Sequence, residues 1–179
     1  MSSYVYVDNS NVWIEGRHNA AVKAGLAASL DEAQETNISA PWSYDFGKLL
    51  SFAGGEAEKI KRAVLFGSRP PKNDSLWNSA KEKGFEVVVE DRDYYTNREK
   101  KIDMGVGTAI LEDSYECVDA KNAEVILVSG DKDYLPIIRS LKNRGITVIV
   151  CFWSHASREI KDSADKFYNL DDYYDYLKA

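Results

Sequence analysis

Short apolar runs alternate with segments of helical character along this 179-residue chain. The runs cover residues 4–7, 62–67, 85–89, 125–128 and 146–151. Continuous apolar strands separated by helices indicate a parallel sheet that is covered by helices on both faces. We therefore expect an α/β protein with three α/β/α layers and a mainly parallel central sheet of about five strands. At this length we expect one domain over residues 1–179.

The predicted helices have recognisable ends. One begins near Asn9, one covers residues 44–53 before two glycines, and one starts at Asn73 or Asp74 and ends near Gly84. Another covers about 133–144 and carries Pro136 in its first turn, where proline is tolerated. Residues 17–41 are the least regular part and are expected to be part helix and part loop. Such a long connection is a candidate specificity or partner surface.

Aspartates stand where predicted strands end and helices begin. Asp8 follows the first strand, Asp131 and Asp133 follow the strand 125–128, and Asp103 opens a further helix. Ligands of parallel sheets bind beyond the carboxyl ends of the strands, so Asp8 and Asp131 meet if their strands are adjacent. Each acid alone could be a helix cap or a turn residue. Together they predict a cation site, because clustered carboxylates repel one another and Mg²⁺ or Mn²⁺ prefers oxygen ligands.

The flanking residues of these acids resemble the NYN domain family, PIN-like nucleases of the LabA type. The similar segments are residues 7–11, 100–105, 128–137 with 145–148 after it, and 163–167. The resemblance implies a PIN-like, Rossmannoid fold and metal-dependent cleavage of RNA. It also implies an acidic set made of Asp8, Asp103, Asp131 and Asp133, with Asn11 supporting it.

Within that set we assign roles from the chemistry of phosphodiester hydrolysis, which needs an activated water and relief of developing charge. Asp8 and Asp131 are interpreted as direct or water-mediated metal ligands, and Asp103 as a ligand or as the group that orients the attacking water. Asp133 is expected to support these ligands without contacting the metal itself. Asn11 is expected to hold Asp8 or a phosphate oxygen. His18 and His155 are expected to be ordinary surface residues.

One departure from the family concerns Ala109, which stands where many members carry a further aspartate. Glu112 and Asp113 follow on the same predicted helix and are expected to face solvent rather than replace that acid. The site is therefore expected to bind metal more weakly, or to bind one ion where relatives bind two. Lys132 occupies a position where relatives commonly have a small residue. It could contact the scissile phosphate or point into water.

RNA, single-stranded or structured, is the expected partner, although the net charge of −6 argues weakly against it. Basic residues cluster at 59–62 and again just ahead of Asp103, where tyrosines could stack bases. Solvated surface is the plainer explanation of the first cluster, whereas the tyrosines and the position of the second favour contact with RNA. The candidate RNA contacts are Arg92, Tyr94, Arg98, Lys101 and Lys132.

The chain shows no signal peptide and no apolar run of roughly 20 residues, so a cytoplasmic protein without a membrane partner is expected. Cys117 and Cys151 form neither a metal-ligand pair nor a disulfide framework. The four tryptophans suit the core, substrate stacking or a homodimer interface.

Two other functions stay open. A haloacid-dehalogenase-like phosphatase would need a second carboxylate where this chain has Ser10. An RNA-binding or scaffold module with a degenerate nuclease site is favoured by Ala109.

Overall fold

The computed structural model describes residues 1–69, 74–91 and 102–179. Its strands are β1 (Ser2–Asp8), β2 (Ile60–Arg69), β3 (Glu86–Asp91), β4 (Ala123–Val128), β5 (Thr147–Phe152) and β6 (Lys166–Asn169). Its α-helices are α1 (Asn9–Lys23), α2 (Leu30–Glu35), α3 (Phe46–Gly54), α4 (Asp74–Glu82), α5 (Ile102–Glu116), α6 (Leu135–Asn143), α7 (Arg158–Ser163) and α8 (Tyr174–Leu177). Short 3₁₀ helices occupy Ala57–Lys59, Lys132–Tyr134 and Leu170–Tyr173.

The six strands form one sheet in the order β3-β2-β1-β4-β5-β6, and every neighbouring pair is parallel. The sequence predicted the first five of these strands and missed β6. That strand has only four residues, which are alternately exposed and half-buried at the edge of the sheet. It therefore lacks the continuous apolar run by which a strand buried on both faces is recognised.

Helices cover both faces of the sheet, as the strand sequences indicate. On one face, Tyr4 and Tyr6 of β1 point toward α5, because the Tyr6 hydroxyl donates to Asp113 at 2.5 Å and the Tyr4 hydroxyl donates to the Cys117 carbonyl at 3.0 Å. On the opposite face, Val5 lies against Gly54 of α3. Alternate side chains of one strand therefore enter two different cores, which confirms the three-layer α/β/α architecture.

Local capping explains where the helices begin. The carboxylate of Asp8 accepts from the Asn11 N–H at 3.3 Å and caps α1, while Asp45 accepts from the Lys48 N–H at 2.9 Å and caps α3. Pro136 lies in the first turn of α6, as predicted. The irregular stretch 17–41 contains the end of α1, the short helix α2 and loops, which confirms its mixed character. Across the three described ranges, no helix combines the length and apolarity that a membrane crossing requires.

Candidate metal centre

The site lies between β1 and β4, where the order of the sheet reverses. Val7 pairs with Val128 in parallel register, so the residues that follow them leave the sheet side by side. β2 and β3 lie on one side of β1, while β4 leads away on the other. A crevice forms at such a switch point, beyond the carboxyl ends of the two central strands. The predicted adjacency of the first strand and the strand 125–128 is confirmed.

Three carboxylates meet in this crevice. Asp103 in the first turn of α5, and Asp131 and Asp133 after β4, each offer an oxygen that lies within 4.8 Å of the oxygens of the other two. Asp103 and Asp131 are half-buried and Asp133 is exposed. Asp131 is held in place because its carboxylate accepts from the Asp133 N–H at 2.9 Å. This donor set of hard oxygens fits a divalent cation such as Mg²⁺ or Mn²⁺.

Asp8 lies behind this cluster and is joined to it through a tyrosine. Its side chain is buried, and its Oδ2 lies 3.1 Å from the Tyr134 hydroxyl, which is also 3.4 Å from Oδ1 of Asp103. The structure thus brings all four predicted acids to one place. It puts Asp133 in the three-carboxylate group and Asp8 deeper, against the helix start that it caps.

Asn11 links the first turn of α1 to the loop after β4. Its Oδ1 accepts from the Ser129 hydroxyl at 2.8 Å and from the Gly130 N–H at 3.1 Å. These bonds tie α1 to the loop that carries Asp131. The interpretation of Asn11 as a support of the site therefore has a geometric basis, although the segment it holds is the loop after β4.

Two buried tyrosines provide neutral donors around Asp8. Burial, and then the carboxylates of Asp8 and Asp103, raise the pKa of Tyr134 far above its ordinary value. Burial and Asp8 likewise raise the pKa of Tyr44, whose hydroxyl donates to Asn9 Oδ1 at 2.5 Å. Both phenols therefore keep their protons at neutral pH. Sequence reasoning missed these residues, although Tyr134 directly follows Asp133.

Ala109 stands where the resemblance to the family implies a further aspartate. Its side chain is partly buried and packs against the core. Glu112 is exposed, as expected. The expectation that Asp113 faces solvent is wrong: it is 4% exposed, accepts from Tyr6 and pairs with Arg62. A buried charge needs such partners, so Asp113 anchors α5 to the sheet and supplies no acid to the crevice.

A second polar group lies beside the crevice, centred on Glu15 of α1. Its Oε2 lies 3.0 Å from His155 Nε2, 2.8 Å from Gln34 Nε2 and 3.4 Å from His18 Nδ1. We expected both histidines to be ordinary surface residues. This is wrong for His18, which is 5% exposed, while His155 is half-buried. The helical spacing of Asn11 and Glu15, four residues apart on one face, was the signal that could have revealed this group.

The predicted nucleic-acid contacts are only partly covered by the structure. Lys132 is exposed, directly beside Asp131. Arg92, Tyr94, Arg98 and Lys101 lie outside the described residues.

An acidic crevice at the switch point of a parallel α/β/α sheet is the arrangement expected of a PIN-like nuclease domain. Residues 4–171 match the NYN domain, so this chain belongs to the NYN domain family, which is part of the PIN-like nuclease superfamily. Domains of this family are generally nucleases that use divalent metals, which suggests a nucleic acid as substrate.

Two further comparisons concern whole proteins. The fold is similar to the crystal structure of a protein of unknown function from Vibrio parahaemolyticus, with a TM-score of 0.69, 20% identity, and coverage of 99% of this chain and 96% of the other. At that identity the likeness describes the fold alone. No curated protein matches the chain.

Proposed function

We propose that this protein is a metal-dependent ribonuclease that hydrolyses phosphodiester bonds of RNA with Mg²⁺ or Mn²⁺. The observation that carries the proposal is the meeting of Asp103, Asp131 and Asp133 within 4.8 Å at the switch point of an NYN domain. Such a group repels itself strongly unless a cation is held between its members. A bound divalent ion would polarise the phosphoryl oxygen and lower the pKa of an attacking water.

The chain's own residues prepare the site for that chemistry. Asp131 is fixed by its bond to the Asp133 N–H, and Asn11 fixes the loop before it. Asp103 is assigned as a ligand or as the acceptor that orients the attacking water. Its carboxylate lies 3.4 Å from the Tyr134 hydroxyl, which Asp8 also contacts. Preorganised groups of this kind reduce the reorganisation that the reaction would otherwise require.

Lys132 is assigned to an acceptor group of the RNA strand, since its exposed ammonium group follows Asp131 directly. The basic and aromatic residues Arg92, Tyr94, Arg98 and Lys101 precede α5 in the chain. We assign them to the same strand of RNA, where tyrosine can stack bases and the cations can follow phosphates.

The test compares the wild type with Asp103→Asn, and uses Glu112→Gln as the matched control because Glu112 lies exposed on the same helix. End-labelled single-stranded RNA is incubated with Mn²⁺, with Mg²⁺ or with EDTA. We expect metal-dependent cleavage by the wild type and the control, and a loss of about 100-fold or more in Asp103→Asn. Cleavage by the wild type no greater than by Asp103→Asn would refute the proposal.

A second function, RNA binding without cleavage, is favoured by Ala109, which leaves the crevice without the further acid of many relatives. The same samples test it by fluorescence anisotropy. RNA binding that is equal in the wild type and Asp103→Asn, with no cleavage in either, would establish the binding module instead.

A further inference from the structure

A second pocket of about 330 Å³ adjoins the acidic crevice and shares Asp131 with it. This volume is at the lower end of the range of roughly 300–1,000 Å³ that is typical of small-ligand pockets. Its lining residues come from α1, α2 and the loops after β4 and β5, and they include Asn11, Glu15, Gln34, Lys132, Phe152 and His155. It therefore lies beyond the carboxyl ends of two neighbouring parallel strands, where α/β proteins bind ligands.

Glu15 is the charged group of this pocket. Burial raises its pKa, but hydrogen bonds from His155 and Gln34 and the charges of His155 and His18 outweigh burial and hold that pKa below its ordinary value. All three neighbours approach Oε2. Within residues 1–69, 74–91 and 102–179, no donor contacts Oε1. One fixed carboxylate oxygen is thus left to accept a hydrogen bond from a ligand.

The rest of the lining supplies complementary chemistry. Phe152 is 2% exposed and packs edge-to-face against His155 with ring centroids 5.6 Å apart, so the aromatic surface open to a ligand is the His155 ring, whose side chain remains 20% exposed. The amide oxygen of Gln34 is a second acceptor, since its nitrogen donates to Glu15. Lys132 adds an exposed cation at the side shared with the acidic crevice. An aromatic surface with placed polar groups is how unstacked RNA bases are recognised.

We propose that this pocket binds the base of a nucleotide next to the scissile phosphate, and that it prefers guanine. The proposal rests on the proposed ribonuclease function for the identity of the ligand as RNA. A fixed carboxylate repels a phosphate, so the base rather than the backbone faces Glu15. Guanine presents two neighbouring donors, N1–H and the N2 amino group, to Glu15 and Gln34. It also presents O6 and N7 as acceptors to Lys132.

The test uses metal-free protein in EDTA, titrated separately with the 5′-monophosphates of guanosine, adenosine, cytidine and uridine. All four carry the same phosphate, so its repulsion by the acidic crevice cancels in the comparison. The chain has two histidines, and a His155→Gln variant assigns their NMR ring signals. We expect the guanosine nucleotide to shift the His155 signal and to bind about 10-fold or more tightly than the others.

Three variants complete the test. Glu15→Gln is expected to weaken guanosine monophosphate binding about 10-fold or more, since the bond to a charged acceptor is lost. Glu35→Gln, an exposed residue of α2, is the matched control and should bind like the wild type. Because Glu15 also joins α1 to α2, Lys132→Gln serves as a surface variant that leaves this group intact, and it is expected to weaken guanine preference as well.

Equal shifts for all four nucleotides, or none, would overturn the proposal. The 2′-deoxynucleoside monophosphates are titrated in the same way. Equal binding of the four bases with clearly weaker binding of these deoxy forms would also overturn the proposal, because the pocket would then recognise the 2′-hydroxyl. RNA cleavage separates this inference from the function on which it rests. Guanine binding without any cleavage would defeat the ribonuclease and keep the base pocket, whereas cleavage without guanine preference or a His155 shift would defeat the pocket alone.

Discussion

The hydroxyl of Tyr134 lies 3.1 Å from Oδ2 of Asp8, in the buried layer beneath the acidic crevice. The same hydroxyl is 3.4 Å from Asp103, which belongs to the three-carboxylate group. Asp8 caps α1 and Asp103 opens α5, so one phenol joins two helix starts from distant parts of the chain. We therefore interpret Tyr134 as the residue that sets the position of Asp103 relative to the core.

Tyr134→Phe tests this interpretation, because it removes the shared donor and keeps the ring. Buried Asp8 then loses a hydrogen bond, and we expect the free energy of unfolding to fall by about 1–3 kcal/mol. We also expect the Mn²⁺ affinity, measured by calorimetry, to fall roughly 10- to 100-fold, as is usual when a partner of a ligand is lost. Tyr115→Phe, at a 71% exposed tyrosine, is the control. Wild-type Mn²⁺ affinity in Tyr134→Phe would contradict the assignment.

The repulsion within the acidic group predicts opposite effects of one substitution with and without metal. Asp133→Asn removes one of three carboxylates whose oxygens lie within 4.8 Å. In EDTA we expect the melting temperature to rise, since relief of about 1 kcal/mol of repulsion at this exposed position corresponds to roughly 2–4 °C. With Mn²⁺ the variant should gain less stability than the wild type.

The control for this comparison is Asp172→Asn. Asp172 is also exposed and also lies in the first turn of a short 3₁₀ helix, but it is not part of the acidic group. It should show the wild-type response to Mn²⁺ and no increase in EDTA. A lower melting temperature of Asp133→Asn in EDTA would show that helix-end effects outweigh the repulsion.

Two glycines beside the crevice should respond in opposite ways to alanine. A Cβ at Gly130 would lie 2.1 Å from the Phe152 ring, which is buried, so the loop that carries Asp131 would have to shift. We expect Gly130→Ala to cost about 1–3 kcal/mol of stability and to weaken Mn²⁺ binding. A Cβ at Gly105 of α5 meets nothing closer than Phe66 at 3.8 Å. Gly105→Ala should therefore stabilise the helix by up to about 1 kcal/mol.

Urea denaturation of both variants measures these changes. If Gly130→Ala and Gly105→Ala are equally stable, Phe152 can move aside without cost, and the close approach of Gly130 to this ring does not fix the loop.

The meeting of the acids was predictable from sequence because it depends on simple rules. Residues 4–7 and 125–128 are continuously apolar, which predicts central strands of a parallel sheet, and Asp8 and Asp131 follow directly. The position of Asp103 at the start of a helix was also readable. Strand β6 was not, since its half-exposed residues carry no apolar run.

The contacts around the acids depend on packing between distant segments. Glu15 meets Gln34 because α2, from the irregular stretch 17–41, folds back onto α1, and it meets His155 because the loop after β5 lies beside α1. Asp113 is buried only because Tyr6 and Arg62, from two different strands, face the same turn of α5. The helical spacing of Ile102, Val106 and Ile110 places Asp113 on the buried face of α5, but no local pattern specifies which distant residues pair with it.

The Tyr6 hydroxyl, which donates to Asp113, predicts a loss of stability in alkali. Burial, and then Asp113, raise the pKa of Tyr6 far above 10.0. Above pH 10 the unfolded chain releases this proton while the folded protein retains it, so the unfolded state becomes more stable relative to the folded state. The stabilisation is complete below pH 10 and declines above it by about 1.4 kcal/mol per pH unit for each such tyrosine. Burial and nearby carboxylates raise the pKa values of Tyr44 and Tyr134 in the same way.

Tyr6→Phe should therefore be less stable than the wild type at neutral pH, because Asp113 loses a donor, yet it should lose stability less steeply above pH 10. Urea unfolding at a series of pH values from about 9 to 11 measures both slopes. Tyr176→Phe, at an exposed tyrosine, is expected to keep the wild-type slope. Parallel slopes of Tyr6→Phe and the wild type would mean that Tyr6 ionises in the folded protein as readily as in the unfolded chain. The bond to Asp113 would then not hold its proton.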